Sequence, residues 1–349
     1  MEDLRNPRYT GNTKGNRRGS SAKLNKIINI LLLFIILVQS FSISYLVRTQ
    51  KNSDENVPAN SGSSSAVVTS PPTVPTNSPA EPTGTPDSAN PSVAEDDYTI
   101  VCLGDSIFQK SENEDGIANQ LAALTGAKVY NCAISGTTAA NINTYDMEIA
   151  PADAFNLSFL VNSITSKDFG LQDNYVSQFI DQNNGHEAAL ATLKSLDFTE
   201  VDVITLAYGT NDYLNNRTID NSKSPLDNAT TLGALRYAIG RIQEYYPHIR
   251  IIVMSPPFCY TMSPFNEQQT CDELNFGNGT LFDYAANYKQ IAADYNVEFV
   301  DVLNDSGMNK NNIENYVVDG VHLSSTGKTL VAELLANQIK GVSQNHHFR

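Results

Sequence analysis

The sequence has few basic residues for its number of acidic ones, with 23 Lys and Arg against 38 Asp and Glu and a net charge of −15. The first 26 residues hold seven of the basic residues and only two of the acidic ones, so the rest of the chain carries a net charge of −20. This balance disfavours nucleic acids and other anionic polymers as partners held by a basic groove, and it favours a neutral substrate.

Histidine is also scarce, with five residues, and cysteine with four. No group of His, Cys and carboxylate residues has the spacing of metal ligands, and no glycine-rich stretch has the phosphate-binding pattern. The sequence therefore predicts neither a metal nor another cofactor. His186 and His248 occur in polar contexts and are expected at the surface, while His346 and His347 lie in a short C-terminal tail.

Residues 27–47 form an apolar run without a charged residue, about the length that a helix needs to cross a ~30 Å hydrocarbon core. Seven basic residues precede this run, and only Arg48 and Lys51 follow it before acidic residues occur. The positive-inside rule therefore predicts a cytoplasmic tail over residues 1–26, a single-pass anchor in the cell membrane and an extracellular remainder. A cleaved signal peptide, which would give a secreted protein, is the alternative; the run is longer than the usual ~7–15 residues and lacks a clear A-x-A site.

Residues 48–95 have a different composition, with eight of the 15 prolines and no aromatic residue. Such a segment cannot bury enough apolar surface to fold, so we expect a disordered linker rich in Pro, Ser and Thr. Its 45 residues from Lys51 onward would average roughly 35–40 Å end to end, and reach about 140 Å as polyproline II. The linker would hold a domain of residues 96–342 away from the membrane, with residues 343–349 as a tail.

All four cysteines lie in the part of the chain that is predicted to be exported, where disulfides can form. Cys259 and Cys271 flank a polar loop and are the favoured pair, whereas Cys102 and Cys132 occur in strand-like runs and fit buried thiols equally well. Four cysteines allow three pairings, and the sequence does not choose among them.

Short β-branched runs alternate with helix-like segments through the domain. The runs predicted as strands are residues 98–103, 127–134, 201–208, 249–254 and 297–302. The segments predicted as helices include residues 116–126, 230–246, 281–295 and 326–339. Apolar strands separated by helices predict an α/β protein with a parallel sheet covered on both faces, a three-layer α/β/α sandwich. In such sheets, functional sites lie at the carboxyl ends of the strands.

Polar motifs occur where these strands end. "GDS" with Ser106 follows the first strand, "ISGTT" with Gly136 the second and "GTND" with Asn211 the third; "DGVH", with Asp319 and His322, lies near the end of the domain. Acyl transfer needs a hydroxyl nucleophile, a base that a carboxylate orients, and hydrogen-bond donors for the oxyanion. These residues supply all three requirements.

The four motifs resemble, in order, the conserved blocks of the SGNH (GDSL-type) hydrolases over residues 98–340. The resemblance implies a flavodoxin-like five-stranded sheet, with Ser106 as nucleophile, His322 as base and Asp319 as the acid that orients it. The oxyanion donors would be the backbone N–H groups of Ser106 and Gly136 and the side-chain amide of Asn211. Asp105 and Asp212 in the same motifs are expected to support their loops through hydrogen bonds.

The chain departs from this family in two places. Ile107 stands where the family name has leucine, and about 64 residues separate Gly136 from the third strand. We expect this insertion to form two or three packing helices; the alternative is a rim or lid that selects the substrate. Ser255, Phe258 and Tyr260 follow the fourth strand and are candidate substrate contacts.

The predicted function is that of a membrane-anchored extracellular serine esterase acting on carboxylic ester bonds. The tether, the acidic domain and the small-acyl members of the resembled family favour O-acetyl groups on a polysaccharide. The alternatives are an O-acyltransferase that modifies a cell-surface glycan, a lysophospholipase or lipase, and, least favoured, a non-catalytic glycan-binding domain. The sequence does not indicate an oligomeric state.

Overall fold

The computed structural model describes residues 98–109, 115–142, 149–179, 185–263, 265 and 267–343. The predicted cytoplasmic tail, membrane span and linker lie outside these residues, as does the end of the C-terminal tail. Among the residues described, no helix is both long enough and apolar enough to cross a bilayer.

A parallel sheet of five strands forms the centre of the fold. The described residues form seven strands, of which β5 and β6 lie outside this sheet: β1 Thr99–Gly104, β2 Lys128–Asn131, β3 Val203–Ala207, β4 Arg250–Met254, β5 Tyr260–Met262, β6 Gln268–Thr270 and β7 Glu298–Val300. The order across the sheet is β2-β1-β3-β4-β7, with parallel pairing throughout. This flavodoxin-like order confirms the predicted fold. The antiparallel hairpin of β5 and β6 was not predicted.

Ten α-helices occur in the described residues. They are α1 Ser106–Gln109, α2 Ile117–Thr125, α3 Leu157–Ser166, α4 Gly170–Tyr175, α5 His186–Ser195, α6 Thr210–Leu214, α7 Thr231–Tyr245, α8 Leu281–Asp294, α9 Val302–Asp305 and α10 Ser325–Ser343. The predicted bounds of α2, α7 and α8 are confirmed to within one residue, whereas α10 continues four residues beyond its predicted end. Local signals explain this accuracy: Thr280 and Asp283 form a capping box at the start of α8, and Gly126 ends α2 with a φ of 77°.

The apolar side chains of the sheet alternate between two clusters, one on each face. In β1, Val101 and Leu103 belong to the first cluster and Ile100 and Cys102 to the second, because successive strand residues point to opposite faces. Helices α3, α5 and α7 pack in the first cluster, α2 and α10 in the second, and α8 contributes to both. The three-layer α/β/α arrangement is therefore confirmed.

The insertion before β3 contains α3, α4 and α5. Buried residues of α3, such as Leu160 and Val161, pack in the first cluster, and α3 lies against α7. The described part of the insertion thus consists of packing helices, as predicted. Residues 143–148 and 180–184 of this region lie outside the description.

His186 contradicts the expectation of a surface position. Its side chain is buried at the start of α5, with its ring stacked on Phe179 at 4.2 Å between centroids and edge-on to Phe155 at 4.6 Å. Burial lowers the pKa of this imidazole to about 4. The polar neighbours in sequence gave no sign of these aromatic contacts, which come from other segments. His248 is exposed, as predicted.

The four cysteines are buried as free thiols. Cys102 and Cys132 fit the buried-thiol alternative, since they belong to opposite clusters of the core. Cys259 and Cys271, the pair favoured from the sequence, lie beside each other at the base of the β5–β6 hairpin.

Candidate active site

The sheet order places a crevice beside β1. The second strand lies on one side of β1 and the third on the other, so successive connections leave in opposite directions. Open parallel sheets bind ligands at the carboxyl ends of the strands at such a point. The segments that follow β1, β2 and β3 there carry Ser106, Gly136 and Asn211, respectively.

Ser106 is held by a tight connection between β1 and α1. A Cβ on Gly104 would lie 2.8 Å from the carbonyl oxygen of Ala207, so a side chain there would force β1 away from β3. The Asp105 carboxylate accepts a hydrogen bond of 3.0 Å from the N–H of Ile107 and thereby fixes the first turn after the strand. Burial raises the pKa of Asp105 to about 7. This connection supports the loop, as expected, and leaves Ser106 at the strand end.

His322 connects Ser106 with Asp319. Its Nε2 lies 2.9 Å from the Ser106 Oγ, and its Nδ1 lies 2.7 Å from the Asp319 Oδ2. The other oxygen of Asp319 accepts from the backbone N–H groups of His322, at 2.8 Å, and Val321, at 3.1 Å. Partial burial opposes ionisation of Asp319, but these hydrogen bonds and the nearby imidazole outweigh it and hold the pKa of the carboxyl well below its usual range.

The loop that carries Asp319 and His322 is fixed at both of its sides. The N–H of Val318 donates to the carbonyl of His322 at 2.8 Å and closes the loop on itself. The N–H of Tyr260 donates to the carbonyl of Gly320, also at 2.8 Å, and attaches the loop to the β5–β6 hairpin. Gly320 has a φ of +89°, and a Cβ there would lie 2.6 Å from the Tyr260 carbonyl oxygen. A glycine is therefore required at this contact.

The candidate oxyanion donors lie on two loops that are bonded together. Gly136 is exposed with a φ of +83°, and a Cβ there would meet nothing within 4 Å. The Asn211 amide donates to the carbonyl of Thr137 at 2.9 Å, which fixes it beside this turn; because an amide nitrogen carries two hydrogens, it can donate a second bond. Asp212 accepts from the N–H groups of residues 139 and 140, both at 2.9 Å. Its expected supporting role is confirmed.

Two of the three candidate substrate contacts have buried side chains. The Ser255 hydroxyl accepts from the N–H of Leu303 at 2.9 Å and is buried. Phe258 is 2% exposed and packs in the second core cluster against Phe282. The side chains of Ser255 and Phe258 are thus used inside the fold, and their contact with substrate stays a prediction. Tyr260 contacts the loop of Asp319 and His322 through its bond to Gly320.

A cavity of about 260 Å³ opens beside Ser106 and His322. Its lining comprises Ser106, Ile107, Val318, Asp319, His322, Leu323, Ser324, Ser325 and Lys328. The sequence did not lead us to Ser325 and Lys328 as lining residues of this cavity. A signal was present, because "SSTGK" follows "DGVHL" directly and places a hydroxyl and an amine in the first turns of α10. Within the described ranges, no group of three or more His, Cys, Asp and Glu residues is placed to hold a metal ion.

An α/β/α sandwich that aligns a serine, a histidine and an aspartate at the carboxyl edge of its sheet has the arrangement of serine-dependent acyl hydrolases. The family model described as GDSL-like lipase/acylhydrolase matches residues 100–335. The chain belongs to this family and is an ester-hydrolysing enzyme.

Several solved structures are similar to the chain. A carbohydrate acetylesterase from Sinorhizobium meliloti is 17% identical, with 70% of this chain and 99% of that chain covered and a TM-score of 0.43. An aryl esterase of M. smegmatis is 20% identical, with 70% and 99% covered and a TM-score of 0.42. A GDSL-like lipase from Bacteroides thetaiotaomicron is 15% identical, with 73% and 93% covered and a TM-score of 0.43. The comparison with curated protein sequences gave no match.

Proposed function

We propose that this enzyme hydrolyses short-chain carboxylic esters through an acyl-enzyme intermediate on Ser106. The observation that carries the proposal is the unbroken line of hydrogen bonds from Asp319 through His322 to Ser106, at 2.7 and 2.9 Å. The 2.9 Å distance allows direct proton transfer from Ser106 to His322, and the 2.7 Å distance allows Asp319 to orient the imidazole. An ionised Asp319 favours the tautomer with hydrogen on Nδ1, which leaves the Nε2 lone pair facing the serine hydroxyl.

The reaction follows from this geometry. The Ser106 Oγ attacks the ester carbonyl carbon while His322 takes the hydroxyl proton, and the resulting oxyanion is stabilised by donors at Ser106, Gly136 and Asn211. Each such donor contributes about 3–4 kcal/mol in well-studied hydrolases. His322 then gives its proton to the leaving alcohol, and the acyl group stays on the serine. Water, deprotonated by the same imidazole, releases the acid and restores Ser106.

The cavity supports a small ester in preference to a long-chain lipid. Its volume of about 260 Å³ lies below the ~300–1,000 Å³ that is typical of sites for drug-sized ligands. Its apolar lining is limited to Ile107, Val318 and Leu323, and the other lining side chains are polar. An acetyl group on a hydroxyl-rich alcohol fits this environment, whereas a lysophospholipid would leave most of its chain in water.

The proposed substrate is an O-acetylated polysaccharide outside the cell. The acidic balance after residue 26 favours an uncharged polymer over an anionic one. The predicted span over residues 27–47 and the linker over 48–95 would present the domain at a distance from the membrane, where a surface or environmental glycan is within reach.

The test uses the full-length chain in detergent with a short-chain aryl acetate. Wild type should hydrolyse the ester, and Ser106→Ala should lower kcat/KM by at least about 10³-fold, while Ser195→Ala on the exposed end of α5 serves as the matched control. Equal rates for wild type and Ser106→Ala would exclude the serine mechanism.

A second assay identifies the substrate class. Acyl esters from acetyl to long chain should be hydrolysed progressively less well, and acetylated polysaccharide should release free acetate. A strong preference for long acyl chains would contradict the carbohydrate proposal, and acyl groups recovered on an acceptor glycan would show transfer in place of hydrolysis.

A further inference from the structure

The cavity beside Ser106 extends along the first two turns of α10 and ends at Lys328. The Lys328 side chain is only 13% exposed, and its Nζ lies 3.3 Å from the Asp115 Oδ2. Ser325, one turn earlier, donates its hydroxyl hydrogen to the same oxygen at 2.6 Å. Asp115 therefore fixes both polar side chains at the wall of the cavity.

This cavity lies on the side where the leaving alcohol must depart. His322 has to protonate the alcohol oxygen, and both His322 and Ser106 line the cavity. The proposed oxyanion donors on the loops after β2 and β3, Gly136 and Asn211, do not belong to its lining. A bound ester with its carbonyl oxygen toward these donors would direct its alcohol past His322 toward α10.

We infer that Ser325 and Lys328 form a subsite for a polyhydroxylated leaving alcohol, such as a sugar ring. The inference rests on the proposed function. An ammonium group has three hydrogens to donate, so one ion pair with Asp115 leaves two for ligand hydroxyl oxygens, and the Ser325 oxygen can accept from a hydroxyl. Val318 is 66% exposed at the rim and offers an apolar surface to the C–H face of a sugar.

The test compares two acetates that differ only in their leaving ring. A pyranose monoacetate carries several hydroxyl groups, whereas cyclohexyl acetate has a ring of the same size without further hydroxyls. In the full-length enzyme, Lys328→Met should lower kcat/KM for the sugar acetate about tenfold more than for cyclohexyl acetate, because a hydrogen bond from a charged donor is stronger than one from a neutral donor. Ser325→Ala should shift the same ratio by a smaller factor.

Lys340→Met, near the exposed end of the same helix, is the matched control and should leave the ratio at the wild-type value. An unchanged ratio in Lys328→Met and Ser325→Ala would overturn the subsite, as would equal losses on both acetates. Failure of the wild-type enzyme to cleave any acetate would instead contradict the proposed function, so the two failures are distinguishable. Thermal unfolding of each variant separates loss of folding from loss of binding, and Lys328→Arg should recover part of the ratio.

A second, independent observation concerns the base of the β5–β6 hairpin. Tyr260 and Thr270 pair across the two strands, so Cys259 and Cys271 are the next facing positions. The N–H of Cys271 donates to the carbonyl of Cys259 at 3.1 Å, and the N–H of Cys259 donates to the Cys271 sulfur at 3.4 Å. Both side chains are about 1% exposed, so the two thiols lie together in the protein interior.

We propose that Cys259 and Cys271 form a disulfide when a low-molecular-weight disulfide is present. The Cys259 thiolate would displace one thiol from the oxidant to give a mixed disulfide, and Cys271 would then displace the second thiol. Two protein thiols are oxidised, and one oxidant disulfide is reduced to two thiols. The bond would close the base of the β5–β6 hairpin. Because the N–H of Tyr260 in this hairpin donates to the carbonyl of Gly320, the bond would also stabilise the loop of Asp319 and His322.

The second pair in the chain provides the control. The backbones of Cys102 and Cys132 are hydrogen-bonded at 2.9 Å, but their side chains lie in different core clusters, on opposite faces of the sheet. After partial unfolding and refolding with oxidised glutathione, the full-length chain should lose two of four free thiols. Peptide mass spectrometry should then find the Cys259–Cys271 link and no link between Cys102 and Cys132.

Closing a loop of this size should raise the thermal midpoint by roughly 5–10 °C over the reduced protein. Cys259→Ser should abolish both the link and the shift, whereas Cys102→Ser should abolish neither. Four free thiols after refolding in the oxidant, or a link between any other two cysteines, would overturn the proposal.

Discussion

His322 and His186 occupy opposite surroundings in one fold, and the difference shows what makes an imidazole available as a base. Both ring nitrogens of His322 have hydrogen-bond partners, and the ring lines an open cavity. The ring of His186 lies between aromatic side chains, and its Nδ1 has no hydrogen-bond partner among the described residues. His322 therefore differs from His186 in two ways: one ring nitrogen faces a carboxylate and the other a hydroxyl group, and the ring is accessible to a substrate.

The largest expected effect comes from exchanging each imidazole for an amide. His322→Gln should lower kcat/KM for an aryl acetate by about 10⁴-fold or more, because no base remains to activate Ser106. His186→Gln should stay within a few fold of wild type at a temperature where it is folded. Comparable losses in the two variants, measured by initial rates, would mean that the geometry at His322 does not define the base.

The next largest effect tests the partner that only His322 has. Asp319→Asn should lower kcat by about 10³- to 10⁴-fold, because an amide can stabilise the wrong imidazole tautomer and cannot balance the imidazolium charge. The exposed Asp305→Asn is the control and should retain wild-type kcat. A loss in Asp319→Asn of less than tenfold would remove the carboxylate from the proposed mechanism.

Local sequence signals were enough for the strands and long helices of the sandwich. Buried parallel strands appear in the sequence as apolar runs, and the long helices have capping residues such as Thr280 and Gly126. Three of the four polar motifs then lie at strand ends by topology alone. For this reason the fold could be anticipated from local signals, whereas the meeting of Ser106 with the loop of His322 was expected from the resemblance of the four motifs to the SGNH hydrolases.

The environment of His186 could not be anticipated, because it depends on tertiary contacts between distant segments. Phe155 and Phe179 approach its ring from other segments of the insertion. No periodic pattern in the sequence predicts a contact between residues so far apart. The same reason explains why the burial of Ser255 was not anticipated, since its hydroxyl is bonded to a residue 48 positions away. The hairpin was missed because β5 and β6 have three residues each, and β6 contains two glutamines.

A moderate effect is expected on stability at the buried histidine. His186→Ala should lower the free energy of unfolding by about 2–4 kcal/mol, since it removes an aromatic ring from a packed site and leaves a cavity. The exposed His248→Ala should change it by less than about 0.5 kcal/mol. Denaturant unfolding of both variants measures the difference, and equal stabilities would show that the ring of His186 contributes nothing to packing.

The smallest expected effect is in the pH dependence of stability. The folded-state pKa of His186 is about 4, below its usual 6.5, so the unfolded chain binds the proton more readily between these values. The free energy of unfolding should therefore fall as the pH falls from 6.5 to 4. Asp105 acts with the opposite sign: its folded-state pKa is about 7, above its usual 3.8, so its contribution falls as the pH rises from 4 to 7.

Removing the His186 imidazole or the Asp105 carboxyl group should each change one part of the curve of stability against pH. His186→Phe keeps an aromatic ring but cannot titrate, and its thermal midpoint should fall less than that of wild type between pH 6.5 and 4. Asp105→Asn should lose the decline between pH 4 and 7. If His186→Phe followed the wild-type curve throughout, the pKa of the His186 imidazole would be the same in the folded and unfolded states, and the distinction from His322 would rest on access to the substrate alone.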